Sequence, residues 1–161
     1  MSTKINGSLI EISLEGPISE KASLFEINLQ PFKEIKINLS KVTFINSIGV
    51  KNWILWTCRL PQNAKLYLDE CPFVIVNQIN IVQGFIPKNA IVTSFLAPFL
   101  CEKCSHEETI KLSQDVHYFY ASDQAAASVQ IPENLTCAKC RGTLEPDFLL
   151  EKTFGFIKRT S

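Results

Sequence analysis

The chain has 161 residues, 46% hydrophobic and 20% charged, which suits one ordinary domain or a small domain with an appendage. Sixteen Lys+Arg balance sixteen Asp+Glu, with residues 1–98 basic by two and residues 99–161 acidic by two. No basic region stands out to neutralise phosphates, so duplex nucleic acid is disfavoured, and the apolar content excludes a disordered chain.

Met1 to Leu14 lacks an apolar run followed by a small-residue cleavage site, so no secretory signal is expected. The longest apolar stretch, Phe95 to Cys101, is broken by Pro98 and is far too short for a membrane span. A cytoplasmic protein without membrane attachment is the expectation. Ile10, Ile12 and Leu14 alternate with Glu11 and Ser13, which predicts a half-buried strand ending at Gly16-Pro17. Ser19 can cap a short helix carrying Ala22, Leu24, Phe25 and Ile27, closed by Pro31. A second strand follows at Ile35, Ile37 and Leu39. Ser47 can cap a helix whose buried stripe would be Val50, Trp53, Ile54, Thr57 and Cys58. Lys65 to Leu68 reads as a strand. Pro72 opens a helix running to Val82, with Gly84 near its end, and Ile91 to Phe95 completes the set as another strand. Alternating strands and helices with short connections predict an α/β sheet over residues 1–98. Residues 99–161 form a second segment, too small to build a core alone. No glycine-rich phosphate-binding motif is present.

The most informative stretch of the first segment is Ile37-Asn38-Leu39-Ser40-Lys41-Val42-Thr43-Phe44-Ile45-Asn46-Ser47-Ile48-Gly49-Val50. A strand runs into a tight turn, and a small polar residue starts a helix. This resembles the signature of STAS domains, the fold of bacterial anti-sigma factor antagonists, whose usual form is Asp-Ser-Ser-Gly at the start of the second helix. The resemblance covers about residues 4–97 and implies a STAS-like mixed sheet with helices. Asn46 stands at the aspartate position, Ser47 matches the first serine, Ile48 replaces the second, and Gly49 matches the glycine. In regulatory members a partner kinase phosphorylates the second serine. Ile48 has no hydroxyl, so the chain is expected to act without that phosphoserine switch, with Ser47 serving as a helix cap.

Ile48, Leu55 and Trp56 lie off the expected buried stripe of this helix, alongside Asn52 and Arg59. Either the C-terminal segment covers this face, or the face binds a protein partner or a second copy of the chain. Asn46, Ser47, Ile48, Asn52, Leu55 and Trp56 are the candidate partner-binding residues.

Four of the six cysteines form two Cys-x-x-Cys pairs, Cys101/Cys104 and Cys137/Cys140. Each pair can supply two thiolates from one knuckle, and four thiolates complete a tetrahedral zinc site. Cys101-Glu102-Lys103-Cys104 and Cys137-Ala138-Lys139-Cys140-Arg141-Gly142 resemble the two knuckles of a zinc ribbon, with Gly142 letting the backbone turn around the metal and nearby cations offsetting thiolate charge. The 32 intervening residues are long for a ribbon. Thr109 to Leu112 and His117 to Tyr120 are expected to fill them as a hairpin. His106 and His117 read as surface residues and Cys58 and Cys71 as core residues. The apolar runs at Phe148–Leu150 and Phe154–Ile157 are expected to cover the ribbon or dock it on the first segment.

No paired carboxylates and no Ser/His/Asp or Cys/His arrangement point to catalysis. The expectation is a non-enzymatic bacterial signalling scaffold: a STAS-like domain for residues 1–98 engaging a kinase-like or sensor partner, and a zinc-ribbon-like segment for 99–161 holding one structural zinc. Two alternatives stand: a ribbon that contacts nucleic acid or RNA polymerase, and a dithiol redox protein.

Overall fold

A computed structural model describes residues 1–158 as a mixed α/β protein with a mixed sheet and three helices. The first sheet uses β1 (Ser2–Asn6), β2 (Leu9–Ile18), β3 (Glu34–Ile45), β4 (Lys65–Asp69) and β6 (Ala90–Val92), in the order β1-β2-β3-β4-β6. β1 is antiparallel to β2 and the remaining pairs are parallel. β1 was not foreseen, because Ser2 to Asn6 is exposed throughout and shows no buried periodicity. Along β2 and β3 the alternation predicted from sequence holds, and β4 alternates likewise. Ile10, Ile12, Leu14, Ile35, Ile37, Leu39, Leu66 and Leu68 are buried, and Glu11, Lys36 and Tyr67 lie in register across the opposite face. β2 continues past Gly16-Pro17 to Ile18 through two irregularities in its pairing with β3.

The helices α1 (Ser47–Thr57) and α2 (Phe73–Ile81) follow β3 and the two-residue β5 (Cys71–Pro72). The helix predicted from Ser19 is only a 3-10 turn, Leu24–Glu26, with Ser23 before it; Ser19 Oγ instead accepts from the Lys21 N–H. The turn stops at Ile27, whose backbone is extended (φ −96°, ψ 113°), so no full helix forms before Pro31.

The strand predicted at Ile91 to Phe95 is two strands. β6 ends at Val92, Thr93 bonds the Leu68 carbonyl through both its N–H and its hydroxyl, and β7 (Ser94–Cys101) enters a second sheet. β8 (Glu107–Ser113) pairs along most of one edge of β7, while β5 and β11 (Leu144–Pro146) share the other. Residue 98, read as the boundary between segments, therefore lies inside β7. The expected hairpin of residues 109–120 is absent: β8 pairs with β7, and β9 (Tyr118–Phe119) pairs with β10 (Ser128–Val129). β7 offers β8 a full-length antiparallel partner, which the two-residue β9 cannot.

α2 touches both sheets and the C-terminal elements α3 (Leu150–Thr153) and the 3-10 turn Phe154–Lys158. Phe154, Phe156 and Ile157 are buried, and Phe95 and Tyr118 meet Phe154 and Phe156 with ring centroids 5.4–6.0 Å apart. The apolar tail docks on the rest of the chain, as its composition required, and one continuous apolar core includes residues from both segments. Asn80 Nδ2 of α2 donates to the Thr153 carbonyl at 2.8 Å, tying the tail to the helix. No described helix is long and apolar enough to cross a membrane.

Candidate metal centre and partner surface

The two knuckles are local copies of each other. In the first, Ser105 N–H donates to the Cys101 carbonyl and Cys101 N–H to the His106 carbonyl. In the second, Arg141 N–H donates to Cys137 and Cys137 N–H to Gly142, with all four distances 2.8–2.9 Å. Ser105 and Arg141, each directly after the second cysteine, take positive φ of 55° and 59°. That left-handed residue turns the chain back after the second cysteine, where the backbone bonds close the knuckle.

β7 ends at Cys101 and β11 begins just after Gly142, and their antiparallel pairing brings the knuckles face to face. The four Sγ atoms lie within 4.8 Å of one another, with Cys101–Cys140 at 3.4 Å and Cys104–Cys137 at 3.8 Å. A tetrahedral ion at about 2.3 Å from each sulfur needs sulfurs about 3.8 Å apart. The four cysteines can therefore hold a metal ion. Backbone N–H groups of Lys139 and Gly142 point at Cys137 and Cys140 Sγ, giving the thiolates further donors. A Cβ on Gly142 would sit 3.1 Å from Cys101 Sγ and 3.2 Å from Cys140 Sγ, so the sulfur cradle requires glycine there.

The two thiols of the first knuckle are unequal. Burial opposes ionisation of Cys101, yet the Cys104 and Lys103 N–H groups and the Cys140 thiol bring it down to about 7. Cys104, bonded to Cys140 and desolvated, is pushed up to about 12. His106 and His117 lie outside the cluster. His117 Nδ1 accepts from the Ser113 N–H, and partial burial lowers its pKa. Cys71 is fully buried, as read, and burial pushes its thiol far up; Cys58 is exposed, against expectation.

Cys58 fails because α1 is turned toward Gly49 and Trp56. Its buried residues are Gly49, Trp53, Trp56 and Thr57, and Val50 and Ile54 are only half-buried. Gly49 sets this rotation: a Cβ there would lie 1.9 Å from the Ile18 carbonyl oxygen, so the first turn rests directly on the end of β2. The Ile18 carbonyl also accepts the Asn46 N–H. Gly49→Ala is expected to destabilise the protein by about 3 kcal/mol, measured by denaturant unfolding, and a change under about 0.5 kcal/mol would refute the close approach.

Trp56, a candidate partner residue, is 0% exposed, and its indole N–H donates to the Ile27 carbonyl at 3.0 Å. The segment following the 3-10 turn covers it, so it is removed from the partner surface. Trp53 is buried likewise, stacked on Phe85 with its N–H on the Phe85 carbonyl. The other candidates remain accessible: Ser47, Ile48 and Leu55 are exposed, with Ile48 at 51% and Leu55 at 48%, and Asn46 and Asn52 are half-buried. Ile48 and Leu55 are two helical turns apart on one face, which the C-terminal segment does not cover.

Ser47 is the first residue of α1 and not its cap. Asn46 caps the helix, its side-chain oxygen accepting from Gly49 N–H at 2.7 Å. Asn46 Nδ2 also donates to Glu20, whose own backbone N–H and this amide hold its carboxyl below the usual range. An anchored negative charge thus stands beside the residue preceding Ser47.

Searches against family models, curated proteins and solved structures find no match to this chain.

Proposed function

We infer that this chain is a non-enzymatic bacterial signalling scaffold of the STAS type, working in the cytoplasm, with a structural zinc in a ribbon-like C-terminal segment. The observation that carries the reading is the solvent-exposed pair Ile48 and Leu55 beside the Asn46–Gly49 turn, an apolar helix face on an otherwise well-packed element. The order of strands and helices around that turn supports the STAS resemblance. Four thiolates around one ion leave no open coordination position, so the zinc stabilises and does not activate water.

The partner, a kinase-like or sensor regulator, docks on Asn46, Ser47, Ile48, Asn52 and Leu55. Control by phosphoserine is not part of this reading. The position modified in the family carries Ile48, and a phosphate on Ser47 would meet the Glu20 carboxylate anchored next to it. Ile48→Asp is expected to weaken partner binding by about 1–3 kcal/mol while leaving the melting temperature near that of the parent, because Ile48 is already half in solvent. The check is affinity capture from native lysate with both proteins side by side. A partner recovered equally by parent and Ile48→Asp would remove this face from the reading, and stoichiometric phosphate on Ser47 in peptide mapping would restore the switch.

A further inference from the structure

Where β6 ends the first sheet, a cleft of about 320 Å³ opens between the sheet and the C-terminal segment. Its sheet side is formed by Lys65 and Tyr67 of β4 and by Ile91, paired with Tyr67 in register. The opposite wall is Gln114, Tyr120 and Ala121, and buried Ile86, Ala90 and Phe156 reach the cleft from the core. This side of β6 is otherwise closed by tyrosines: the Tyr118 hydroxyl donates to the Val92 carbonyl and the Tyr120 hydroxyl accepts the Val92 N–H. The cleft is thus a recess between the sheet and the C-terminal segment, at the lower end of the size range of small-molecule sites.

Its charge is one-sided. Lys65 and Lys88 line it, no Asp or Glu does, and among the described residues neither lysine lies within ion-pair distance of a carboxylate. Acidic lining is found in other recesses, as where Glu11 and Asp69 face Lys36 across the first sheet. A largely apolar recess lined by two exposed lysines and no carboxylate matches a ligand with a hydrophobic body and one anionic head. A cation would meet repulsion, and a neutral apolar molecule would forgo the head-group attraction.

We propose that this cleft binds a small amphipathic anion, a carboxylate carried on an aliphatic or aromatic body, with Lys65 and Lys88 holding the head group and Tyr67, Ile91 and Phe156 taking the body. The site is independent of the α1 face and of the cysteine cluster, so it stands or falls apart from the reading above.

The test uses the intact zinc-loaded chain and three probes of equal length: octanoate, octan-1-ol and octylamine, titrated by calorimetry and by amide chemical shifts. Octanoate is expected to bind at least tenfold tighter than either of the others, with shifts centred on Tyr67, Ile91 and Ala121, and to weaken as salt rises. The double variant Lys65→Gln, Lys88→Gln changes two exposed side chains and is expected to keep its melting temperature and metal content while losing at least tenfold in octanoate affinity. Ala121→Leu is expected to fill the recess and reduce octanoate binding without altering the charge. Equal binding of all three probes, octanoate binding untouched by the lysine variant, or no octanoate binding at millimolar concentration would overturn the proposal.

Discussion

Cys101→Ser or Cys137→Ser is expected to abolish metal binding and to unfold the C-terminal third of the chain. Each cysteine is a corner of the four-sulfur cluster and each lies in a knuckle whose backbone bonds close around it. The knuckles themselves and the stretch before β11 have little besides the cluster to hold them. The segment between β10 and β11 has sparse regular structure, and residues 121–136 are mostly exposed or half-buried. Structural zinc sites supply roughly 10–16 kcal/mol of apparent binding free energy, as much as a whole domain's net stability, and that energy is available only to the folded arrangement. The parent protein is expected to contain one zinc per chain by elemental analysis. Either variant should contain none and lose amide dispersion for residues 101–146, with the signals of β2, β3 and β4 less affected. Because the ligands must be thiolates, parent affinity should fall as pH is lowered and protons compete for the sulfurs. A metal-free but fully folded Cys101→Ser protein would show that the cluster has no structural role, and fresh reduced parent protein without zinc would end the zinc assignment.

Phe156→Ala is expected to cost about 3–5 kcal/mol in global stability, the range for truncating a buried aromatic. Phe156 is 1% exposed and its ring meets Phe95, Tyr118, Tyr120 and Phe154. Those rings come from β7, from β9 and the residue after it, and from the C-terminal turn, so the cavity would open where the second sheet, α2 and the tail converge. Guanidinium unfolding followed by both tryptophan fluorescence, reporting Trp53 and Trp56, and far-ultraviolet dichroism should show one shifted transition. A loss below about 1 kcal/mol, or a transition seen by only one probe, would mean that the tail is an independent appendage. The same geometry bears on fragments. Residues 99–161 alone should not fold, since Phe154 and Phe156 lose Phe95. A piece ending at residue 98 should keep the first sheet, although the cut falls within β7 and strips Phe95 of its aromatic neighbours.

The parts legible in the sequence were those set by local periodicity and by ligand chemistry. The 2-residue alternation of Ile10–Leu14 and Ile35–Leu39 placed two strands and their inward faces, because one face of each is buried and the pleat allows no other arrangement, and Lys65–Leu68 read as a third strand. Two Cys-x-x-Cys pairs with a trailing Gly142 announced the cluster, because only a few side chains bind a soft ion and the tight turn between them is local. Tertiary structure alone decided the rest. The face of α1 was set by contact between Gly49 and the Ile18 carbonyl, a long-range approach that helical periodicity does not encode, and it buried Trp56 while exposing Cys58. The run from Ala90 to Cys101 looks uniformly strand-like, so its change of sheet at Thr93 appears only when Leu68, β8 and β11 supply partners on different sides. The cap likewise passed from Ser47 to Asn46 because the Ile18 carbonyl takes the Asn46 N–H and fixes where the helix can begin. The cleft at β6 has no sequence signature at all: Lys65, Lys88 and Phe156 are far apart in the chain and meet only because the tail folds back on the sheet edge.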